Sequence, residues 1–139
     1  MIKTVVIGAA GQMGRRLVAN IAESSTLELV GAVEYDGCPS LGADAGILAG
    51  VGELGVTIGA DLAAAVRGAD AVINFATAGV LEATRTAVDA GCAVVIGTTA
   101  LPPGVKTELR AMADSGARIV SSYNMSVGVN LLFKLVREA

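Results

Sequence analysis

The sequence predicts an α/β domain, a doubly wound parallel sheet with helices on both faces, and three observations carry that prediction. Short apolar runs alternate with segments of helical period from Thr4 to Ser121, the pattern of successive βαβ units joined by right-handed crossovers. Hydrophobic residues make up 53% of the chain and aromatic residues only 3%. The core must therefore be assembled from Ala, Val, Ile and Leu, which suit helices lying close against a sheet covered on both sides. The run Thr4-Val5-Val6-Ile7 breaks into Gly8, Gly11 and Gly14, a strand that turns on glycine directly into a helix.

Each element follows in order. Residues 4–7 form the first strand, and residues 15–24 a helix with Leu17, Val18, Ile21 and Ala22 on one stripe. Residues 27–34 form the second strand, which puts Glu34 at its carboxyl end. Residues 35–55 read as a long glycine-rich connection, of a kind that is usually functional or mobile. A short third strand spans 56–58, Asp61 caps a helix over 62–67, and a fourth strand spans 71–75. Residues 79–90 are helical and stop at Gly91, 93–96 form the fifth strand, 104–115 are helical and stop at Gly116, and 118–121 form the sixth strand. The segment 127–139 has Leu131, Leu132, Leu135 and Val136 on one helical face and no capping residue after it, which suggests a chain cut from something longer.

Composition excludes several classes. Lys and Arg total 10 against 13 Asp and Glu, a net charge of -3, so there is no basic face for nucleic acid. No apolar run approaches the roughly 18 residues of a membrane span. Met1 leads through Ile2 and Lys3 into the first strand, which leaves no room for a signal peptide and makes a cytoplasmic location the expectation. Cys38 and Cys92 are isolated and the chain has no histidine, so they read as structural thiols and no metal site is expected.

The glycine turn carries the chemistry. In a Rossmann-type sheet such a turn brings backbone N–H groups to a dinucleotide pyrophosphate, and the positive end of the following helix faces the anion. The spacing here is G-x-x-G-x-x-G, with Ala10 where the middle glycine of the common pattern stands. Glu34, ending the next strand, suits the ribose hydroxyls. Polar residues collect at the other strand ends: Asn74 and Thr77 after the fourth, Gly97, Thr98 and Thr99 after the fifth, and Ser121, Ser122, Tyr123 and Asn124 after the sixth. For any one cluster, ordinary loop chemistry is an alternative; together they mark the edge where a doubly wound sheet takes its ligand.

Gly8-Ala9-Ala10-Gly11-Gln12-Met13-Gly14-Arg15, Glu34, the 41–46 run LGADAG, Val95-Ile96-Gly97-Thr98-Thr99 and the 124–130 run NMSVGVN together resemble the dihydrodipicolinate reductases, also called 4-hydroxy-tetrahydrodipicolinate reductases, of lysine and diaminopimelate biosynthesis. The resemblance covers essentially the whole chain. It implies that Gly8, Ala9, Ala10, Gly11, Gln12 and Met13 hold the pyrophosphate and that Glu34, with Tyr35 beside it, meets the adenosine ribose. Gly97, Thr98 and Thr99 together with Ser122, Tyr123, Asn124 and Met125 would line the nicotinamide half. The implied cofactor is NAD(H), with NADP(H) as the second candidate, since Gln12 and Tyr35 stand where members favouring the 2′-phosphate often carry arginine. Asn74 and Ala76 flank Phe75 in place of a D-F-T pattern, Ala100 replaces the glycine closing G-T-T-G, and Met125 replaces an aromatic.

The resemblance further implies two parts: residues 1–126 as the dinucleotide-binding domain, and residues 127–139 as the start of a helix leading to a substrate domain outside this chain. That domain would supply the basic motif for a cyclic unsaturated dicarboxylate and the association into homo-oligomers, leaving no catalytic residue in this chain. Two other readings stay open: a nucleotide-binding or redox-sensing module without turnover, and the first domain of a related amino-acid dehydrogenase.

Overall fold

The structure, a computed structural model, describes residues 1–99 and 101–138; the sequence expectations that fall on Ala100 and Ala139 lie outside the described residues. Six strands alternate with helices: β1 Ile2–Ile7, α1 Gln12–Ala22, β2 Leu27–Val33, α2 Ala45–Ala49, β3 Ile58–Gly59, α3 Leu62–Ala65, β4 Ala71–Asn74, α4 Val80–Asp89, β5 Ala93–Ile96, α5 Pro103–Asp114, β6 Ile119–Ser121 and α6 Val127–Glu138. The strands form one sheet in the order β3-β2-β1-β4-β5-β6, and every adjacent pair is parallel. This is the doubly wound architecture that the alternation of elements predicts.

Strand alternation divides the core in two. Val5 and Ile7 of β1 point to the face where Val72, Val94 and Ile96 meet Val66, Val80, Ala87 and Leu109. Val6 points to the other face, against Val18 and Ile21 of α1, Ala45 of α2 and Ile58. On α4 the buried positions Val80, Thr84 and Ala87 recur at helical spacing, and the Thr84 hydroxyl donates to the Val80 carbonyl at 2.7 Å, so its burial leaves no unpaired donor. Cys38 and Cys92 are buried free thiols. Burial, reinforced by Asp70, pushes the Cys92 thiol up from its ordinary pKa, which keeps it protonated and inert.

Most boundaries shift by one to three residues, β1 starting at Ile2 and α3 ending at Ala65 among them, and three differences have a clear cause. Helix α1 begins at Gln12, three residues early, because Gly11 is extended at φ -67°, ψ 168° and serves as its N-cap; the Arg15 N–H already donates to the Gly11 carbonyl at 3.0 Å. The 35–55 connection is not structureless. It contains α2, a single turn too short for periodicity to register, held by Asp44, whose Oδ1 accepts from the N–H groups of Gly46, Ile47 and Leu54 and whose Oδ2 accepts from Val56. The third strand shrinks to Ile58 and Gly59, since only these two pair with β2, opposite Ala32 and Val33. As expected, Asp61 caps α3, and Gly91 and Gly116 take positive φ just past α4 and α5.

Helix α6 forms where expected but buries none of its residues, and Leu131, Leu132, Leu135 and Val136 are all exposed. Among the described residues no helix is long and apolar enough to cross a membrane.

Candidate functional site

Strand β1 lies between β2 and β4; the crossover to β2 through α1 packs on one face and the crossover into β4 through α3 on the other, so a crevice opens above its carboxyl end. A cavity of 480 Å³ occupies that place. One wall is the glycine turn with Val33, Glu34 and Tyr35; the other is Phe75, Ala76, Thr77 and Ala78.

The turn is built by backbone. Gly8 takes φ +80°, its N–H donates to the Val33 carbonyl at 2.8 Å, and its own carbonyl accepts the Gly11 N–H at 3.1 Å. Gly14 is compulsory, because a Cβ there would overlap the Gly8 carbonyl and stand 2.7 Å from Ala9 Cα. Gly11 differs in degree: a Cβ there would meet a single atom, the Gly8 carbonyl oxygen at 3.3 Å. Ala10 donates its N–H to Glu34 Oε1 at 2.8 Å, and the Tyr35 N–H lies 3.4 Å from Glu34 Oε2. The acidic side chain is thus tied to the turn itself. The Gln12 and Met13 N–H groups, in the first turn of α1, find no acceptor among the described residues. They are the donors left for an anion.

The other predicted positions fall elsewhere. Gly97 is covered by the Phe75 ring, which occupies the space a Cβ would need. The Thr98 hydroxyl donates to the Ala76 carbonyl at 2.7 Å. Thr98 and Thr99 border a second cavity of 370 Å³ between α5 and β6, with Lys106, Arg110, Ser122 and Tyr123 around it. Asn124 is committed to the start of α6: its Oδ1 accepts the Ser126 N–H at 2.8 Å, and its carbonyl accepts from Ser122 Oγ at 2.8 Å and Asn130 Nδ2 at 2.9 Å. Met125 is exposed and borders neither cavity. Of the predicted residues, Gly8, Gly11, Glu34 and Tyr35 line the crevice, Thr98, Thr99, Ser122 and Tyr123 the second cavity, and Gln12 and Met13 a hollow beside α1, while Asn124 belongs to the capping knot.

Sequence reasoning placed Thr77 at this edge but did not read Phe75, Ala76 and Ala78 as a wall of the crevice, and it passed over Lys106 and Arg110, which look like ordinary helix-surface cations. Knowing that β4 lies beside β1 would have exposed the first. Among the described residues no group of His, Cys, Asp and Glu is arranged to hold a metal.

Comparisons with known proteins agree with this architecture. Residues 2–125 match the family described as "Dihydrodipicolinate reductase, N-terminus". The chain is 48% identical over 141 aligned residues to a 4-hydroxy-tetrahydrodipicolinate reductase of Anaeromyxobacter dehalogenans, covering 100% of this chain and 52% of that protein. It is 45% identical to the reductase of that name in Alkalilimnicola ehrlichii, covering 99% and 51%. The chain thus spans about half the length of the curated relatives it matches. Among solved structures, a dipicolinate-bound dihydrodipicolinate reductase from Paenisporosarcina sp. TG-14 superposes with a TM-score of 0.77 at 20% identity, over 97% of this chain and 52% of that one. An amine dehydrogenase from Mycobacterium smegmatis superposes at 0.68 with 24% identity, over 87% and 39%; both of these likenesses concern the fold. With the family match running over nearly all of its length, this chain belongs to the dihydrodipicolinate reductase family and corresponds to its N-terminal part.

Proposed function

We propose that this chain is the cofactor-binding part of an NAD(P)H-dependent 4-hydroxy-tetrahydrodipicolinate reductase of lysine and diaminopimelate biosynthesis. It holds a nicotinamide dinucleotide so that hydride reaches a cyclic unsaturated dicarboxylate bound by a further domain. Residues 1–126 act as the dinucleotide-binding domain, and α6 starts the connection to the substrate domain, through which the full protein associates into homo-oligomers.

The observation that carries this reading is the Glu34 carboxylate fastened to the Ala10 N–H at 2.8 Å, on the rim of the switch-point crevice. Fixed there, it keeps lone pairs for two ribose hydroxyls, while the Gln12 and Met13 N–H groups take the pyrophosphate. The residues present fit such a cofactor: Gly11 leaves bare the side on which phosphate oxygens would approach. When bound, the dinucleotide supplies the hydride, and the protein supplies its orientation. On the nicotinamide side, Thr99 and Ser122 offer hydroxyls next to the second cavity.

NADH is the preferred form. Glu34 accepts from a free 2′-hydroxyl and repels a 2′-phosphate. Arg15 and Arg16, the nearest cations on α1, border a hollow of 620 Å³ together with Gln12, Met13, Leu48 and Ala49, and neither borders the crevice.

Calorimetric titration with NADH tests the reading on the wild type and on Gly11→Val. The melting temperature of the variant is checked first, because Gly11 has an ordinary φ of -67° but a Cβ there would stand 3.3 Å from the Gly8 carbonyl; its branched side chain blocks the pyrophosphate. Equal affinity in two folded proteins would sink the proposal.

A further inference from the structure

Three strand ends are tied together at Ala76. Its N–H donates to Asn74 Oδ1 at 2.9 Å, and its carbonyl accepts from Thr98 Oγ1 at 2.7 Å. The same stretch backs the glycine turn: a Cβ on Gly8 would lie 3.2 Å from Ala76 N and 3.3 Å from the Phe75 carbonyl carbon. The Phe75 N–H donates to the Ile7 carbonyl at 3.2 Å, and the Gly97 N–H to the Asn74 carbonyl at 3.0 Å. Hydrogen bonds therefore run from the β5 loop through Thr98 to Ala76, and the Phe75–Ala76 backbone stands where it leaves little space for a side chain on Gly8.

Two features separate this arrangement from incidental packing. Asn74 is 0% exposed, and its Nδ2 has no hydrogen-bond partner among the described residues, so the site tolerates a buried, unpaired donor in order to keep the Oδ1 acceptor in place. Thr98 borders the α5–β6 cavity and not the crevice, yet its hydroxyl is spent on a residue of the crevice wall.

The geometry points to Asn74 and Thr98 as positioning residues for the dinucleotide, acting through Ala76: they hold the Phe75–Ala76 wall against the glycine turn and so set affinity in a crevice that neither side chain enters. This inference rests on the dinucleotide reading. It differs from the simpler view in which Thr98 matters by touching the nicotinamide.

ADP separates the two, because it reaches the turn and Glu34 but has no nicotinamide. Titrations of ADP and NADH are run on the wild type, Thr98→Val, Thr98→Ser and Asn74→Ala, with melting temperatures as the check on folding. Thr98→Val, which keeps the shape and removes the donor, weakens ADP and NADH by the same factor, about fivefold for one partly buried hydrogen bond. Thr98→Ser restores the hydroxyl and binds both within about twofold of the wild type. Asn74→Ala follows Thr98→Val; if its cavity prevents folding, the Thr98 pair decides. A Thr98→Val protein that loses NADH but keeps ADP, or keeps both, overturns the inference while leaving the dinucleotide reading intact. Failure of the wild type to bind either nucleotide overturns both.

Discussion

Glu34 shows what one residue reveals in sequence and what it conceals. Its place after an apolar strand, downstream of a glycine turn, was enough to make it the candidate for a ribose. Its bond to the Ala10 N–H was not visible, because that contact depends on the register that sets Ile7 beside Val33. The bond has an energetic consequence. A carboxylate already fixed by a backbone donor loses little freedom on binding, and hydrogen bonds to a charged acceptor are worth about 1.5–3 kcal/mol. Glu34→Ala should therefore weaken NADH by about tenfold or more and narrow the margin between NADH and NADPH, since the same change removes the repulsion of a 2′-phosphate. Affinities for both cofactors, measured on both proteins, check this; a wild type that prefers NADPH would show Arg15 or Arg16 reaching the phosphate. The wall at 75–78 was legible only at Thr77, for the opposite reason: Phe75 and Ala76 are tied in through their peptide groups, which every residue carries.

Among the elements, the strands and the long helices were legible because each repeats its apolar residues often enough to show a period. Helix α2 does not, having five residues, and what stabilises it is Asp44 reaching across the chain to Leu54 and Val56. These donors, that of Ile47 first, hold the Asp44 carboxyl below its ordinary pKa of 3.8, against the opposing effect of burial. A depressed folded-state pKa contributes stability above the unfolded value and loses it as the pH falls through the folded value. Asp44→Ala should thus melt lower than the wild type near neutrality, and the difference should shrink once the pH drops below about 3.8. Thermal melts of both proteins between about pH 7 and pH 2 read the change directly. A gap that stays constant over this range would mean that the carboxylate charge contributes nothing.

For the molecule as a whole, the alternation of strands and helices predicted the sheet, and chain crossover rules did the rest. Composition was also informative about chemistry. With no histidine to donate a proton, the 139-residue chain should show no reductase turnover even when saturated with cofactor. Holding two reactants in an attack-ready geometry accounts for roughly 7 to 11 kcal/mol of a barrier, and in the proposed reading a further domain holds the acceptor. NADH oxidation with freshly generated substrate, compared with a protein of the relatives' full length, measures this; substantial turnover by the short chain would mean that its own residues complete an active site.

The distribution of its few aromatic rings gives this protein a further property. It has no tryptophan and two tyrosines, and each tyrosine borders a different cavity, Tyr35 the crevice and Tyr123 the groove between α5 and β6. Ultraviolet-excited emission of the unlabelled chain is therefore a two-address signal, dimmed at one chromophore by a nucleotide in the crevice and at the other by anything seated against α5. With Tyr123→Phe, all the remaining light comes from beside Glu34.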